Sequence, residues 1–195
     1  MKRSLLRQRL MLLLIFAIGA APLVAALVWY LNADRWRPAD TVNYGHLVTP
    51  ARTIATAPLP MLGGGKLPAD WFAHRWTLVY IGTAGCDSEC RHALYITRQI
   101  RLAVGAKMNR VQRLLAIPGD PPAAAELRRA HPDLTVVDTA ADGRFTAQFT
   151  EAAPAGTRIY IVDPRGRLVM SYPADADPQG ILADLEHLLK YSQIG

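Results

Sequence analysis

The run from Leu10 to Ala33 holds no charged residue and is dominated by Leu, Ile, Val, Phe and Ala. At 1.5 Å per residue, about 20 such positions cross a hydrocarbon core of roughly 30 Å, so the run predicts a membrane-spanning helix with some tilt, kinked at Pro22. Trp29 and Tyr30 fall at its far end, where amphipathic rings favour the headgroup region. A cleaved signal peptide has an apolar core of roughly 7 to 15 residues and a small-x-small site. Leu31-Asn32-Ala33 matches that poorly, so a retained anchor is expected.

Beyond the span the pattern breaks up. Asp34 to Asp70 contains Pro38, Pro50, Pro58, Pro60, Pro68 and Gly63-Gly64-Gly65, so regular structure should be scarce and the stretch reads as a linker or wrapping arm. Within it, Asn43-Tyr44-Gly45-His46-Leu47 combines an aromatic and an aliphatic residue, and two readings stand side by side: packing on a domain edge, or an ordinary extended linker. Trp76 to Ile81 then reads as a buried strand. Cys90 to Gly105 reads as a helix that gathers Ala93, Ile96, Ile100, Ala103 and Val104 on one face and Arg91, Arg98 and Arg101 on another. Val111 to Ile117 and Leu134 to Val137 return to strand, with a helix from Pro122 to Ala130 between them. Arg158 to Asp163 and Arg167 to Tyr172 flank Pro164-Arg165-Gly166, a hairpin signal. Pro178 to Tyr191 is a last amphipathic helix. This order predicts an α/β domain with a central sheet of four or five strands and helices on its faces. The expected division is a tail at 1–9, a transmembrane helix at 10–33, an arm at 34–70 and one domain at 71–195, with room for one site.

Charge refines the topology. The formal net charge is +6, yet Lys2, Arg3, Arg7 and Arg9 crowd the N-terminus. There they hold the tail in the cytoplasm, which puts the remainder outside: a single-pass inner-membrane protein with a periplasmic domain. Nucleic acid is not an expected partner in that compartment. A second basic group runs from Arg91 through Arg98, Arg101, Lys107 and Arg110 to Arg113 with no acid between. A solvated face is the default reading, and docking to anionic headgroups or an acidic partner is the functional one.

Cys86 and Cys90 are the only cysteines, in Gly82-Thr-Ala-Gly-Cys86-Asp-Ser-Glu-Cys90-Arg-His92, where the first strand gives way to the first helix. A thiol at a helix N-terminus has its thiolate stabilised by the macrodipole and the free amides, while Asp87 and Glu89 oppose this by like-charge repulsion. Helical spacing of four turns both sulfurs the same way, with Cα atoms about 6 Å apart, towards the upper part of the disulfide range. Cys86, first in the loop, is expected nearer solvent as the attacking thiol, with Cys90 as the resolving one. Dithiol-disulfide exchange and two-thiolate binding of Cu(I) both fit. A stapling bridge is the bland alternative, weakened because so small a loop holds little entropy.

The succession of strand, loop with C-x-x-x-C at a helix start, and late strand ending Asp163-Pro164-x-Gly166 resembles the Sco/SenC branch of the thioredoxin superfamily over roughly residues 70 to 190. A nearer likeness, in Asn43-Tyr44-Gly45 and from Cys86-Asp87 through Tyr95-x-Thr97-Arg98-Gln99 to Arg110-Val111-Gln112-Arg113, is to a proteobacterial membrane protein family found with cytochrome c oxidase genes. The resemblance implies a thioredoxin-like fold and a membrane-anchored accessory factor for cytochrome c oxidase assembly. A subunit or assembly factor of the oxidase is then the partner, and Cys86 and Cys90 act on copper or, as a thiol-disulfide oxidoreductase, on target cysteines. Sco proteins carry a copper-ligating histidine about eight residues before the Asp of the late turn, and here that place falls at Ala155, beside Pro154. Thr157 stands where thioredoxins and TlpA-like reductases have a cis-proline. These departures leave a non-catalytic, membrane-tethered binding module as the alternative.

Among the histidines, His92 lies about 200° round the helix from Cys90 and reads as a surface residue. His131 and His187 belong to remote helices, and His74 precedes the first strand. Only His46, in the arm, has the freedom to fold over the site as a third ligand. Asp120, Asp138 and Asp142 read as turn residues, and Gly63-Gly64-Gly65-Lys66 has the wrong spacing for a phosphate loop.

Overall fold

The structure, a computed structural model, describes residues 2–32, 43–119 and 124–192. Asp34, Pro38, Asp120 and the start expected for the second helix, Pro122, lie outside the described residues. The chain divides into two units, 1–42 and 43–195.

In the first unit, α1 runs Lys2–Leu31 with Pro22 inside it. Its segment Arg9–Leu31 has a mean hydropathy of 2.7 and none of it is buried, so it is a candidate span by length and composition.

The second unit is built on one sheet of six strands: β1 (His46–Thr53), β2 (Trp76–Ile81), β3 (Val111–Ile117), β4 (Leu134–Asp138), β5 (Thr157–Val162) and β6 (Arg167–Pro173), in the order β1-β6-β5-β2-β3-β4. β2, β3 and β4 are parallel, whereas β5, β6 and β1 join by antiparallel pairing. The expected central pair, β2 and β5, is central. Every residue of β2 is buried, as befits an interior strand covered on both faces. Leu78 and Tyr80 point to one face, where they meet α2 (Ser88–Ala103) and α5 (Pro178–Tyr191) through Ala93, Leu94, Ile100, Ile181 and Leu185. Val79 and Ile81 point to the other, against Phe145 and Phe149 of α4 (Arg144–Thr150). The remaining helix, α3, spans Ala124–Ala130.

The sixth strand corrects the reading of 34–70 as a stretch poor in regular structure. β1 lies inside it, and Val48, Ile54, Leu59 and Leu67 belong to the second core cluster. Prolines and glycines mask this because β1 is an edge strand with one buried residue, so it has no alternation to read, and an edge tolerates Pro50. Farther on, Leu62 donates to the Val136 carbonyl at 3.0 Å and Pro60 accepts from Asp138 at 2.9 Å, so the arm also lies along β4. α4 went unpredicted as well, its apolar signal being the single pair Phe145 and Phe149.

Asn43-Tyr44-Gly45 docks on the domain, which decides between the two readings of that stretch. The buried Asp184 carboxylate of α5 accepts from Tyr44 N at 3.2 Å, Gly45 N at 2.9 Å and the Tyr172 hydroxyl at 2.9 Å. A Cβ on Gly45 would sit 2.3 Å from the Tyr172 ring, so only glycine permits this approach.

Candidate thiol site at the head of the second helix

The site is built where β2 ends. Gly82 extends the β2–β3 ladder by donating to the Ala116 carbonyl at 2.9 Å, and a Cβ there would lie 2.7 Å from Ile117. The chain then turns through two left-handed residues, Gly85 at φ 88° and Cys86 at φ 47°. A non-glycine residue in that region is uncommon and must be held by its surroundings. Two bonds hold it. Asp87 is the N-cap of α2, its carboxylate accepting from Cys90 N at 2.9 Å, and the Arg91 guanidinium donates to the Cys86 carbonyl at 3.0 Å. Asp87 is therefore a helix-capping residue besides being a like charge.

Cys86 and Cys90 are joined in a disulfide with Cα atoms 5.1 Å apart. This is closer than the spacing of about 6 Å expected for two positions of one helix. The reason is that Cys86 precedes the helix, which starts at Ser88, two residues before the expected start at Cys90. The expected difference in exposure is small: Cys86 is 3% exposed and Cys90 0%. Both sulfurs sit in the core cluster with Tyr80. Burial, with Glu89 and Asp87 adding and Arg158 opposing, pushes the Tyr80 phenol up to about 12, so it is a neutral neighbour at physiological pH.

At the head of α2 a cavity of about 620 Å³ is lined by Glu89, His92, Gly156, Arg158, Ala174 and Asp175. His92 is exposed on it. The loop before β5 borders it through Gly156, which puts the adjacent Ala155 at the cysteine end of the sheet, where the family resemblance leads one to look for a histidine. His46 is not brought to the sulfurs. It pairs with Ser171, which pairs with Tyr160, which pairs with Val79, so His46 lies three strands from β2, roughly 14 Å at ordinary strand spacing. Among the described residues no group of three or more His, Cys, Asp or Glu is arranged to hold a metal ion.

The basic stripe is largely consumed by structure, which corrects its reading as a solvated or docking face. Arg113 is 1% exposed and donates to the Leu94 carbonyl, Thr97 and Asp133. Arg101 bonds the Val111 carbonyl at 2.7 Å, and Arg110 bonds the Leu189 and Ser192 carbonyls at the end of α5. The sequence signal for Arg113 was present: it occupies an inward position of a strand made, Gln112 apart, of Val, Leu, Ala and Ile, where a cation needs partners.

The turn after β5 serves to join strands. Gly166, at φ 74°, donates to the Asp163 carbonyl, and the Asp163 carboxylate accepts from Arg165 N, Arg167 N and the Arg167 guanidinium. Asp138 and Asp142 hold turns, as expected.

Residues 76–192 match the family model described as transmembrane-like, thioredoxin-like, C-terminal domain. The chain belongs to that family. The family's description agrees with the two features already seen, a thioredoxin-like sheet and, ahead of it in the sequence, an apolar helix that is a candidate single-pass membrane anchor. Among curated proteins none matches the chain. Among solved structures this transmembrane-like, thioredoxin-like chain is similar to apo Sco1 of Thermus thermophilus, with TM-score 0.59 and 22% identity over 77% of this chain and 99% of that one. It is similar also to yeast Sco1 with copper bound, with TM-score 0.56 and 15% identity over 78% and 96%. DsbF of MTB, in mixed oxidised and reduced forms, follows with TM-score 0.52 and 16% identity over 69% and 96%. At these identities the likeness establishes the fold, and the fold is that of the Sco/SenC and thioredoxin-like proteins.

Proposed function

We propose that the chain is a membrane-anchored accessory factor for cytochrome c oxidase assembly that acts through Cys86 and Cys90 by thiol-disulfide exchange, with its soluble domain in the periplasm. The observation that carries this reading is the bridged pair at the head of α2, beside an open cavity. A thiolate of a partner dithiol attacks Cys86 Sγ, and the bridge breaks with its electron pair on Cys90. Cys90 leaves as a thiolate in the first turn of α2, where free amides and the helix dipole stabilise negative charge. The partner's second thiolate then displaces Cys86. The partner is oxidised to a disulfide, the protein gains two electrons and two thiolates, and protons released from the partner protonate them or pass to solvent. Run in reverse, the reduced pair reduces a partner disulfide, with Cys86 attacking and Cys90 resolving.

Copper enters this reading as cargo. The donor set that the described residues offer is two sulfurs, which suits low-coordinate Cu(I) once the bridge is reduced, and not Cu(II), which prefers nitrogen and oxygen ligands. His46 would join the set only if β1 left the sheet. One observation favours the alternative, a binding module without chemistry: both sulfurs are buried, so exchange requires the loop from Gly82 to Asp87 to open.

The test is a Cys86→Ser, Cys90→Ser double variant, read by oxidase assembly in cells and by thiol exchange and Cu(I) retention of the purified chain. Loss of all three is expected. Assembly at wild-type level would transfer the proposal to the binding-module reading, and copper loss confined to a His46 variant would put the arm in the ligand set. A reporter at the C-terminus active only in the cytoplasm would overturn the periplasmic placement.

A further inference from the structure

At the end of β2 away from the cysteines lies a cavity of about 440 Å³ whose walls include Trp76, Asp163, Pro164, Arg165, Arg167 and Tyr191. The register explains why they meet. Thr77 pairs with Val162, so Trp76 stands beside Asp163, and Trp76 belongs to the core cluster under α5, which ends at Tyr191. Five strand steps, roughly 17 Å at ordinary rise, separate this point from Ile81, where the thiol loop begins. The turn that forms one wall is pinned from two sides. The Asp163 carboxylate accepts from Arg165 N at 2.9 Å, Ala73 bridges to Arg165, and the Pro164 carbonyl accepts from His74 N at 3.0 Å. His74 has φ 70°, and a left-handed residue other than glycine persists only where its surroundings over-determine it.

Two side chains of these walls have donors that the fold does not use. Trp76 is 5% exposed, and its indole Nε1–H is shut from bulk water with no hydrogen-bond acceptor. A buried donor without an acceptor costs stability, and such an orphan calls for a partner from outside the fold. Arg165 is exposed, its backbone fixed by the turn, and among the described residues its guanidinium has neither hydrogen bond nor ion pair. Asp163 and Arg167 neutralise each other at 2.6 Å, which leaves Arg165 as the uncompensated charge of the walls among the described residues. Both unused groups lack an acceptor, and the cation favours a negative one. A guanidinium offers two parallel N–H bonds that match the two oxygens of a carboxylate, and the indole adds a third donor. A phosphate dianion, with three strong acceptor oxygens, calls for a cluster of cations instead. Trp76, Pro164 and Tyr191 supply apolar surface for a carbon frame.

We propose that this cavity is a binding site for a carboxylate: its oxygens meet the fork of Arg165, one of them accepts from Trp76 Nε1–H, and its carbon frame lies against Trp76, Pro164 and Tyr191. The carboxylate belongs to a small organic acid or to the end of a peptide chain, since the same three donors recognise either. The site shares no residue with the thiol pair, so it stands or falls apart from the exchange reading.

The experiment follows the Trp76 indole N–H by nitrogen–proton NMR on the full chain in an uncharged detergent, with the resonance assigned by its absence in Trp76→Phe or, should that variant not fold, through the backbone. The probes are benzoate, its neutral isostere benzamide, inorganic phosphate, and an acetylated dipeptide ending in phenylalanine with its carboxylate free or amidated. Benzoate should move the indole N–H downfield and saturate at millimolar concentration, the affinity that so few contacts support. Benzamide should bind at least tenfold more weakly. Arg165→Gln changes an exposed side chain and keeps the backbone bond to Asp163, so it should fold and weaken benzoate about tenfold, the loss of a charge-assisted pair. Lys66→Gln, at an exposed cation of the arm outside these walls, should leave the affinity unchanged. Tighter binding of the free-acid peptide assigns the site to a chain end, tighter binding of benzoate assigns it to a small acid, and both support the proposal. No saturable movement with either acid overturns it. Equal binding of benzamide or the amidated peptide, phosphate binding tighter than both acids, or an unchanged affinity in Arg165→Gln overturns it as well.

Discussion

Asp184→Ala should detach the start of the arm from the sheet. The carboxylate is 5% exposed and accepts from Tyr44 N, Gly45 N and the Tyr172 hydroxyl. Burial, followed by Asp184 itself, holds the Tyr172 phenol far above its ordinary value, so that hydroxyl is a permanent donor. A buried donor left without an acceptor costs about 1–3 kcal/mol. The two backbone donors are only part-buried and regain water once the arm lifts, whereas the hydroxyl, in a residue 1% exposed, is left with the weak Met170 Sδ acceptor at 3.4 Å. The sum is about 3 kcal/mol for Ala and about half that for Asn, which keeps one oxygen. For a chain of this size the Ala variant should melt roughly 10 °C lower. The assay is thermal unfolding of the full chain in detergent, combined with hydrogen exchange at the Tyr44 and Gly45 amides. The order wild type, Asn, Ala is expected in both. An Ala variant that melts within about 2 °C of wild type and keeps the Tyr44 amide protected would refute the reasoning.

Arg113→Met removes a cation that is 1% exposed and leaves Asp133 with Arg101 alone; a loss of about 3–5 kcal/mol in urea unfolding is expected, because one partner of a buried network goes uncompensated. Stability should also fall with acid in two stages. Burial, then Arg113 and Arg98, lower the His131 pKa from 6.5 against the opposing pull of Asp133, so the fold favours the neutral ring, and stability present above about pH 6.5 declines as the unfolded chain takes up the proton. Asp133, held below 3.8 by Arg113 and Arg101 against its own desolvation, contributes stability above that value that is lost on further acidification. Melting temperature against pH should therefore slope downward below about 6.5, and His131→Gln should flatten the first stage; an unchanged slope in that variant would count against the assignment. The double Ser variant at Cys86 and Cys90 should lose only about 2 kcal/mol on unfolding, the scale for opening so small a loop.

The strands that cross the middle of the sheet were legible because each carries its own signal. Trp76 to Ile81 is apolar but for Thr77, Val111 to Ile117 is apolar from Leu114 onward, and their ends fall where the sequence reading put them. α5 was equally plain, with Asp177 capping a periodic apolar face. The start of α2 was misjudged by two residues because the cysteines drew the boundary to themselves, whereas the capping signal was Asp87, three residues before Cys90. What was illegible depended on partners distant in sequence. Nothing near Asp184 announces that it receives Tyr44 and Gly45, although a carboxylate set among Ile181, Leu185 and Leu189 on the buried side of a helix calls for donors. The cysteines were found from the sequence, and their burial was not, since it comes from the sheet and α2 closing over the loop.

The arm that leaves Tyr44 runs along one edge of the sheet as β1, crosses the face that holds Ile54, Leu59 and Leu67, and reaches the opposite edge at β4 through Pro60 to Leu62. An exposed strand edge is a template on which another chain can polymerise, and proteins blunt it with prolines, irregular pairing or a covering loop. Here one segment does all three, with Pro50 and a register shift in β1 and a cover over β4. A fragment cut at residue 71 would therefore lack more than a tether. It would present two bare edges and an unroofed apolar face, and should come out of cells as an aggregate, whereas one cut before Asn43 keeps its seams closed.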